Sequence, residues 1–223
     1  GKTTSVRLLA AMARTAGLNC THNCTDGLFF NGALVEADDY SGPAGARASL
    51  RHPKAEAAIL ETARGGLLRR GLATDRALAA LVTNISEDHF GEYGVFSLDD
   101  LAQVKLTVVK GLRPDGRLVL NAGDPLLLRH GDALCADAAW FAADWHCAAL
   151  QIKLAQGAAV CAVDNGHLSL HADGIVHDLG KIDDMPLSFH GVAHYNIENL
   201  AGAALCAHVL GFGLEAIKTV LSA

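Results

Sequence analysis

The sequence predicts an α/β fold: a mostly parallel sheet flanked by helices, with a small peripheral antiparallel sheet. Three observations carry this. Helix and strand signals alternate through the first two thirds of the chain, the rhythm of crossover connections. Short continuous apolar runs, Ala57-Ala58-Ile59-Leu60, residues 78–83 and Leu118-Val119-Leu120, read as strands buried on both faces. From about 149 to 190 the pattern changes to short strands separated by Asp164-Asn165-Gly166 and Asp173-Gly174, an antiparallel meander.

Taken in order, residues 2–16 read as a helix ended by Gly17. Residues 18–24 follow as a strand. Asp26-Gly27 and Asn31-Gly32 flank Leu28-Phe29-Phe30 and signal a hairpin. The runs at Ala57–Leu60 and 78–83 are the next strands. Ser97 with Asp100 opens a helix in capping-box fashion, and Gly111 is its natural stop. Arg113-Pro114-Asp115-Gly116 reads as a turn before the run at 118–120. The meander comprises 159–163, 167–171 and 175–178, a small sheet packed beside the main one. Helices over 196–210, ended by Gly211, and 214–221 close the chain. No repeat or flexible linker divides it, so residues 1–223 read as one domain.

Composition limits the function. The 223 residues include 18 Lys+Arg against 24 Asp+Glu, a net charge of -6. That argues against nucleic-acid binding through a broad basic face. Hydrophobic residues make up 51% and charged residues 19%, so disorder is not expected. Aromatics are only 5%, and the core must be built from Ala, Leu and Val. No apolar run approaches the roughly 20 residues needed to cross a bilayer. The opening Gly1-Lys2 lacks a Met, which reads as a fragment. The six cysteines show no disulfide framework, which reads as a cytoplasmic protein with reduced thiols. Cys20, His22 and Cys24 alternate. They read as one strand face of small side chains rather than a zinc site, because no second ligand pair is at hand. His167 and His171 read as the solvent side of a strand.

Five positions carry chemistry. Gly1-Lys2-Thr3-Thr4 opens a helix and matches the end of the phosphate loop G-x-x-x-x-G-K-S/T, hence a P-loop type of sheet. There backbone amides favour phosphate oxygens, the lysine reaches the terminal phosphates, and the hydroxyl can ligate Mg²⁺. Glu61 follows a buried strand and precedes Thr62-Ala63-Arg64-Gly65-Gly66, where open α/β sheets place ligands, although taken alone it reads equally as an ordinary strand-end acid. Its carboxylate suits a hard cation, and the paired glycines would let backbone approach a ligand. Thr83-Asn84-Ile85-Ser86-Glu87-Asp88-His89 follows another buried strand; His89 could ligate metal with Asp88 behind it, or the run could simply cap a turn. Lys105 falls within the stripe of Leu101, Val104, Val108 and Leu112, where an ammonium must snorkel, pair or be modified. Asn196 and Asn199 share one helix face and could read a base edge, although helix capping explains Asn196 alone.

In this order the positions resemble the central ATP-binding domain of the Mur ligase superfamily, along essentially all of the chain. The closest likeness is to its cyanophycin-synthetase branch. It is carried by Thr25-Asp26-Gly27, Asp39-Tyr40-Ser41-Gly42-Pro43, Leu60-Glu61-Thr62-Ala63-Arg64-Gly65-Gly66, Asp99-Asp100-Leu101-Ala102-Gln103-Val104-Lys105 and Leu120-Asn121-Ala122-Gly123-Asp124-Pro125. The resemblance implies an ATP-dependent, ADP-forming ligase. A carboxylate substrate takes the γ-phosphoryl group as an acyl phosphate, and an amino-acid amine then displaces phosphate. By family role Lys2 stabilises the migrating phosphoryl group. Gly1, Lys2, Thr3, Thr4 and Asn84 contact the nucleotide, and Asn196 and Asn199 face the adenine. Thr3 and Glu61 hold one Mg²⁺ and His89 a second, supported by Asp88. Lys105 matches a lysine that many members carbamylate, which would turn a cation into a metal-bridging anion. Tyr195 stands where many members have histidine.

The resemblance also implies partner domains on both sides: the front of the phosphate loop, a domain for the carboxylate substrate, and a C-terminal domain that closes over ATP. The chain alone is expected to be inactive or nearly so. No nucleic-acid or membrane partner is expected, and a homo-oligomer is allowed. The alternatives are a different Mur-type ligase with a peptidoglycan or folate substrate, or a non-catalytic nucleotide-binding module. A switch GTPase is disfavoured, because no Asn-Lys-x-Asp guanine signature is present.

Overall fold

A computed structural model describes residues 1–86, 94–135 and 137–223. In chain order the elements are α1 (Lys2–Thr15), β1 (Cys20–Cys24), β2 (Gly27–Phe30), β3 (Ala33–Glu36), α2 (Pro43–Leu50), β4 (Ala57–Leu60), α3 (Arg64–Arg70) and β5 (Ala77–Val82). There follow α4 (Leu98–Leu106) with a 3₁₀ turn at Thr107–Gly111, β6 (Leu112–Asn121), α5 (Pro125–Leu134), β7 (Ala139–Asp144) and α6 (Ala148–Ala155). The chain ends with β8 (Val160–Asp164), β9 (His167–Ala172), β10 (Ile175–Lys181), α7 (His194–Val209) and α8 (Leu214–Leu221).

Two sheets form. The larger has the order β10-β9-β8-β7-β6-β5; β5 to β8 are parallel, and β9 and β10 add antiparallel. The smaller has the order β3-β2-β1-β4, with β1 and β4 parallel and the hairpins antiparallel. The mixed α/β architecture is the expected one, but the small sheet is in a different place. The meander after residue 149 does not stand beside the main sheet; it continues that sheet as its antiparallel edge. The separate sheet is instead built by the first hairpin together with β4. Strand length and alternation are local properties, whereas membership of a sheet is decided by long-range pairing.

The continuous apolar runs have the expected cause. Val119, Phe141 and Cys161 enter a core shared with α1, α7 and α8, while Leu118, Leu120, Trp140, Val160 and Ala162 enter a second core under α4, α5 and α6. Across 118–121, 139–142 and 160–162, where both faces are buried, no position can be polar without a partner. Scarce aromatics are replaced by close approach: a Cβ on Gly202 of α7 would lie 3.0 Å from Cζ of Phe141. α1 packs on β1 and β4 of the smaller sheet and on α7 and α8, and α7 in turn covers β5 to β9 of the larger. The buried Val6, Leu9, Ala10 and Ala13 of α1 fall at helical spacing, and Gly17 ends the turn at φ 89.

Arg113-Pro114-Asp115-Gly116 does not separate two elements. β6 begins before it, at Leu112, and the register jumps from Ala77↔Leu112 to Ala79↔Arg117. The four residues therefore loop out of the strand, closed by an Arg113–Asp115 ion pair. No helix among the described residues is long and apolar enough to cross a membrane.

Candidate functional site

The start of α1 lies between the ends of β4 and β5. Gly1 is its N-cap, with no side-chain cap and no acid in the first turn, so the leading amides point into open space rather than to a protein acceptor. Lys2 is exposed there. Thr3 Oγ1 donates to Glu61 Oε2 at 2.8 Å and lies 3.3 Å from Thr25 Oγ1. Thr4 lines a cleft of about 330 Å³ with Thr3, Arg7, Leu8, Ala11 and Leu187. On the other side, a Cβ on Gly1 would stand 3.3 Å from Thr83 Oγ1 and 4.0 Å from Asn199 Oδ1. One helix tip is thus in reach of a carboxylate, two hydroxyls and an amide from four other parts of the chain.

Glu61 is 2% exposed. Burial pushes its carboxyl above the ordinary carboxylate range; the Thr3 hydrogen bond and the Lys2 charge oppose that, while Asp39 and Asp26 add to it. Its backbone is held by Asn23, whose Nδ2 donates to Glu61 O at 3.0 Å and to Tyr40 O at 2.6 Å. The following residues fold back on the Asp39-Tyr40-Ser41-Gly42-Pro43 segment: Ala63 N donates to Ser41 O at 2.7 Å. Asp39 accepts from Ser41 N and Oγ, and those bonds hold its carboxyl below the usual range. Gly66 serves this packing rather than a ligand, because a Cβ there would lie 2.5 Å from Cδ of Pro43.

The Thr83-Asn84-Ile85 segment is held from three sides. Lys105 Nζ donates to Asn84 O at 3.0 Å, Asn121 Nδ2 donates to Thr83 O at 3.0 Å, and Ile85 N donates to Asp124 Oδ2 at 2.5 Å. Lys105 is half-buried. The buried side of α4 is Leu101, Ala102 and Leu106, with Val104 half-buried, so Lys105 lies at the edge of the stripe; Val108 and Leu112, expected on the same stripe, fall in the 3₁₀ turn and on β6 instead. Asp124 also caps α5 through Leu126 N and Leu127 N. Asp88 and His89 lie outside the described residues. Asn196 and Asn199 are buried, and their donors are engaged within the protein: Asn196 Nδ2 with Leu187 O at 2.8 Å, Asn199 Nδ2 with Asn196 Oδ1 at 3.3 Å.

The structure therefore brings Gly1, Thr3, Thr4, Glu61, Thr83 and Asn199 to one place, with Asn84 and Lys105 joined to it through the Thr83 segment. Asn23, Thr25, Asn121 and Asp124 join them without having been singled out as site residues. An Asp before Pro is a helix-start signal that would have found Asp124; Asn121 lies in a stretch that carried the family resemblance without being given a role, and nothing in the sequence distinguishes Asn23 from a turn former.

The pair Thr3–Glu61 fits Mg²⁺. This ion keeps several waters and takes only one or two carboxylates together with substrate phosphates, and a hydroxyl beside one buried carboxylate supplies that. Among the described residues no group of three or more His, Cys, Asp or Glu could hold a metal. The alternating Cys20, His22 and Cys24 make no such site. All of β1 is buried. Burial pushes the Cys20 thiol up to about 11 and His22 down to about 4, and His22 stacks on Phe29 at 4.5 Å. His167 pairs with Asp178 at 3.0 Å, and His171 packs on Trp145 with ring centres 4.2 Å apart, so both are half-buried rather than turned to solvent.

Residues 1–207 match the family profile of the Mur ligase middle domain. The chain is 34% identical over 221 residues to a cyanophycin synthetase of Nostoc sp., covering 99% of this chain and 24% of that protein. It is 34% identical over 218 residues to the cyanophycin synthetase of Synechocystis sp., covering 98% and 25%. It spans about a quarter of the length of these relatives. Among solved structures, a UDP-N-acetylmuramoyl-L-alanyl-D-glutamate–2,6-diaminopimelate ligase superposes with a TM-score of 0.71 at 21% identity, over 100% of this chain and 44% of that one. MurF from Acinetobacter baumannii gives 0.68 at 18% identity, over 100% and 43%. These likenesses show the shared fold.

Proposed function

This chain belongs to the Mur ligase family as a middle domain, and on that premise we propose that it is the ATP-binding core of an ADP-forming carboxylate–amine ligase of cyanophycin-synthetase type. The observation that carries the reading is the Thr3–Glu61 hydrogen bond at an uncapped helix start beside the Thr83-Asn84 segment. In this reading the leading amides of α1 and Lys2 take the triphosphate, and Lys2 follows the γ-phosphoryl group as its charge spreads. Thr3 and Glu61 hold Mg²⁺, with His89 and a carbamylated Lys105 serving a second ion. Bound there, the cations neutralise phosphate charge, which is most of what phosphoryl transfer asks of a protein. The burial that raises the Glu61 carboxyl makes it a stronger partner for a cation than an exposed acid would be. Asn84 and Asn199 flank the helix tip and orient the nucleotide.

The reaction has two steps. The substrate carboxylate attacks the γ-phosphorus and ADP leaves. An amine then attacks the acyl carbon, phosphate leaves, and an amide remains. The acceptor is an aspartate-rich peptide and the donor Asp or Arg. Neighbouring domains of a longer cytoplasmic protein deliver the carboxylate and close over ATP.

The test is stoichiometry in the full-length protein. One ADP should appear per amide formed, and Lys2→Ala and Lys105→Ala should each lower kcat by about 100-fold or more, the size expected for losing a charged phosphoryl contact. Wild-type rates in both variants would sink the ligase reading and leave a nucleotide-binding module.

A further inference from the structure

Two buried asparagines stand in equivalent places in the two sheets. Asn23 is the penultimate residue of β1, next to β4; Asn121 ends β6, next to β5. The parallel ladders run to Asn23↔Leu60 in one case and to Leu120↔Val82 in the other. In each sheet the carboxamide reaches the carbonyl of the first residue after the neighbouring strand. Asn23 Nδ2 donates to Glu61 O and Asn121 Nδ2 to Thr83 O, both at 3.0 Å. At Thr83 a side-chain amide thus continues the ladder by one rung beyond the last backbone pair; at Glu61 it adds to a backbone bond, Glu61 N to Asn23 O at 3.3 Å. The two residues so held, Glu61 and Thr83, are the ones that flank the tip of α1 from opposite sides.

Stability does not account for Asn23. It is fully buried, it spends both its donor hydrogens on carbonyls, and its own Oδ1 has no partner among the described residues. A buried acceptor left unpaired is a net cost that an apolar core residue would avoid. Asn121 shows the same choice of target while also accepting from Gly123 N at 2.8 Å.

We propose that Asn23 and Asn121 are a matched pair of positioning residues, each fixing one wall of the phosphate and cation site relative to the tip of α1. The proposal rests on the ligase reading given above. Asn23 sets the Glu61 wall and therefore cation affinity. Asn121 sets the Thr83-Asn84 wall, and through Asn84 O it sets the place of Lys105. Neither touches substrate.

The experiment uses the full-length ligase with Asn23→Ala and Asn121→Ala. Asn23→Gln and Asn121→Gln accompany them; these keep the donor but move it outward by one methylene and preserve the fold if the alanines do not. Three quantities are read well below each variant's unfolding temperature: kcat at saturating ATP, KM for ATP, and Mn²⁺ affinity with ADP present, by electron paramagnetic resonance. A misplacement of about 1 Å predicts a loss of about 100-fold in kcat, with KM changed by less than about threefold. Mn²⁺ affinity at the Thr3–Glu61 position should fall about tenfold or more in the Asn23 variants and stay near wild type in the Asn121 variants, which should weaken only the second ion beside Lys105, a split that a general loss of stability cannot produce. Wild-type kcat and Mn²⁺ affinity in the folded variants, or equal losses of both in all four, would overturn the proposal. A wild-type enzyme that neither forms ADP nor binds Mn²⁺ would overturn the ligase reading itself, and the pair's role with it.

Discussion

Glu61 carries a burden that its neighbours only partly offset. Burial raises its carboxyl, so the folded chain holds that proton more tightly than the unfolded chain does. Stability contributed by this group therefore falls as pH rises from the ordinary carboxylate range through the raised value, and is flat above it. Glu61→Gln keeps an acceptor for Thr3 and removes the buried charge. It should melt higher than wild type at pH 8, and the gap should close as pH is lowered toward the carboxylate range; thermal unfolding across pH checks this. Adding Mg²⁺ with ADP should reverse the order. Wild type gains about 1.4 kcal/mol at ten times its Kd, and the Gln form, which keeps the nucleotide contacts but loses the cation's carboxylate, gains less. Glu61 was readable in the sequence only together with the other positions, because an acid directly after a four-residue apolar run is by itself as readily an ordinary strand end. Asn23 and Asn121 were not readable. A carboxamide at a strand end has the same signature whether it starts a turn or braces a neighbour's carbonyl, and only the pairing of strands tells the two apart.

α4 shows how one element sets the reach of one side chain. Its N-terminus is closed in both directions: Ser97 Oγ accepts from Asp100 N at 3.1 Å, and the Asp100 carboxylate accepts from Ser97 N at 3.0 Å and Phe96 N at 3.1 Å. Those bonds, the Ser97 hydroxyl first, hold the Asp100 carboxyl below its ordinary range. Ser97→Ala should cost about 1 kcal/mol in denaturant unfolding, and Ser97→Asp should recover most of it. The cap was legible, because capping is written within four residues, and helical turns do stop at Gly111; the α-helix itself ends earlier, at Leu106, and the last turns are 3₁₀. The loop-out at Arg113–Gly116 was half legible: its turn chemistry was plain, but the strand's resumption on either side depends on β5, thirty residues earlier. The same reason hid the division of the strands between two sheets. Most strands were readable, but β7 was not read at all, and the partners were not readable either.

At the scale of the whole molecule, a single apolar core reaches from Cys20 of the smaller sheet to Phe141 of the larger, through α1, α7 and α8. Gly202 marks its tightest approach. Phe141 has no accessible surface and no room to retreat, so Gly202→Ala should cost about 1–3 kcal/mol. Because the core is shared, the loss should appear as one lowered transition in which probes in both sheets move together; two separate midpoints would contradict it. The overall α/β class was readable from periodicity alone, since it depends on the alternation of elements and not on their contacts. What this construction means for motion follows from α1. Ala10, Met12 and Ala13 are wholly hidden from solvent, so the helix cannot shift without moving the smaller sheet and the two C-terminal helices packed on it. Its tip is then the stationary jaw of a vice, and any clamping stroke that a catalytic cycle requires must be made by whatever swings toward it.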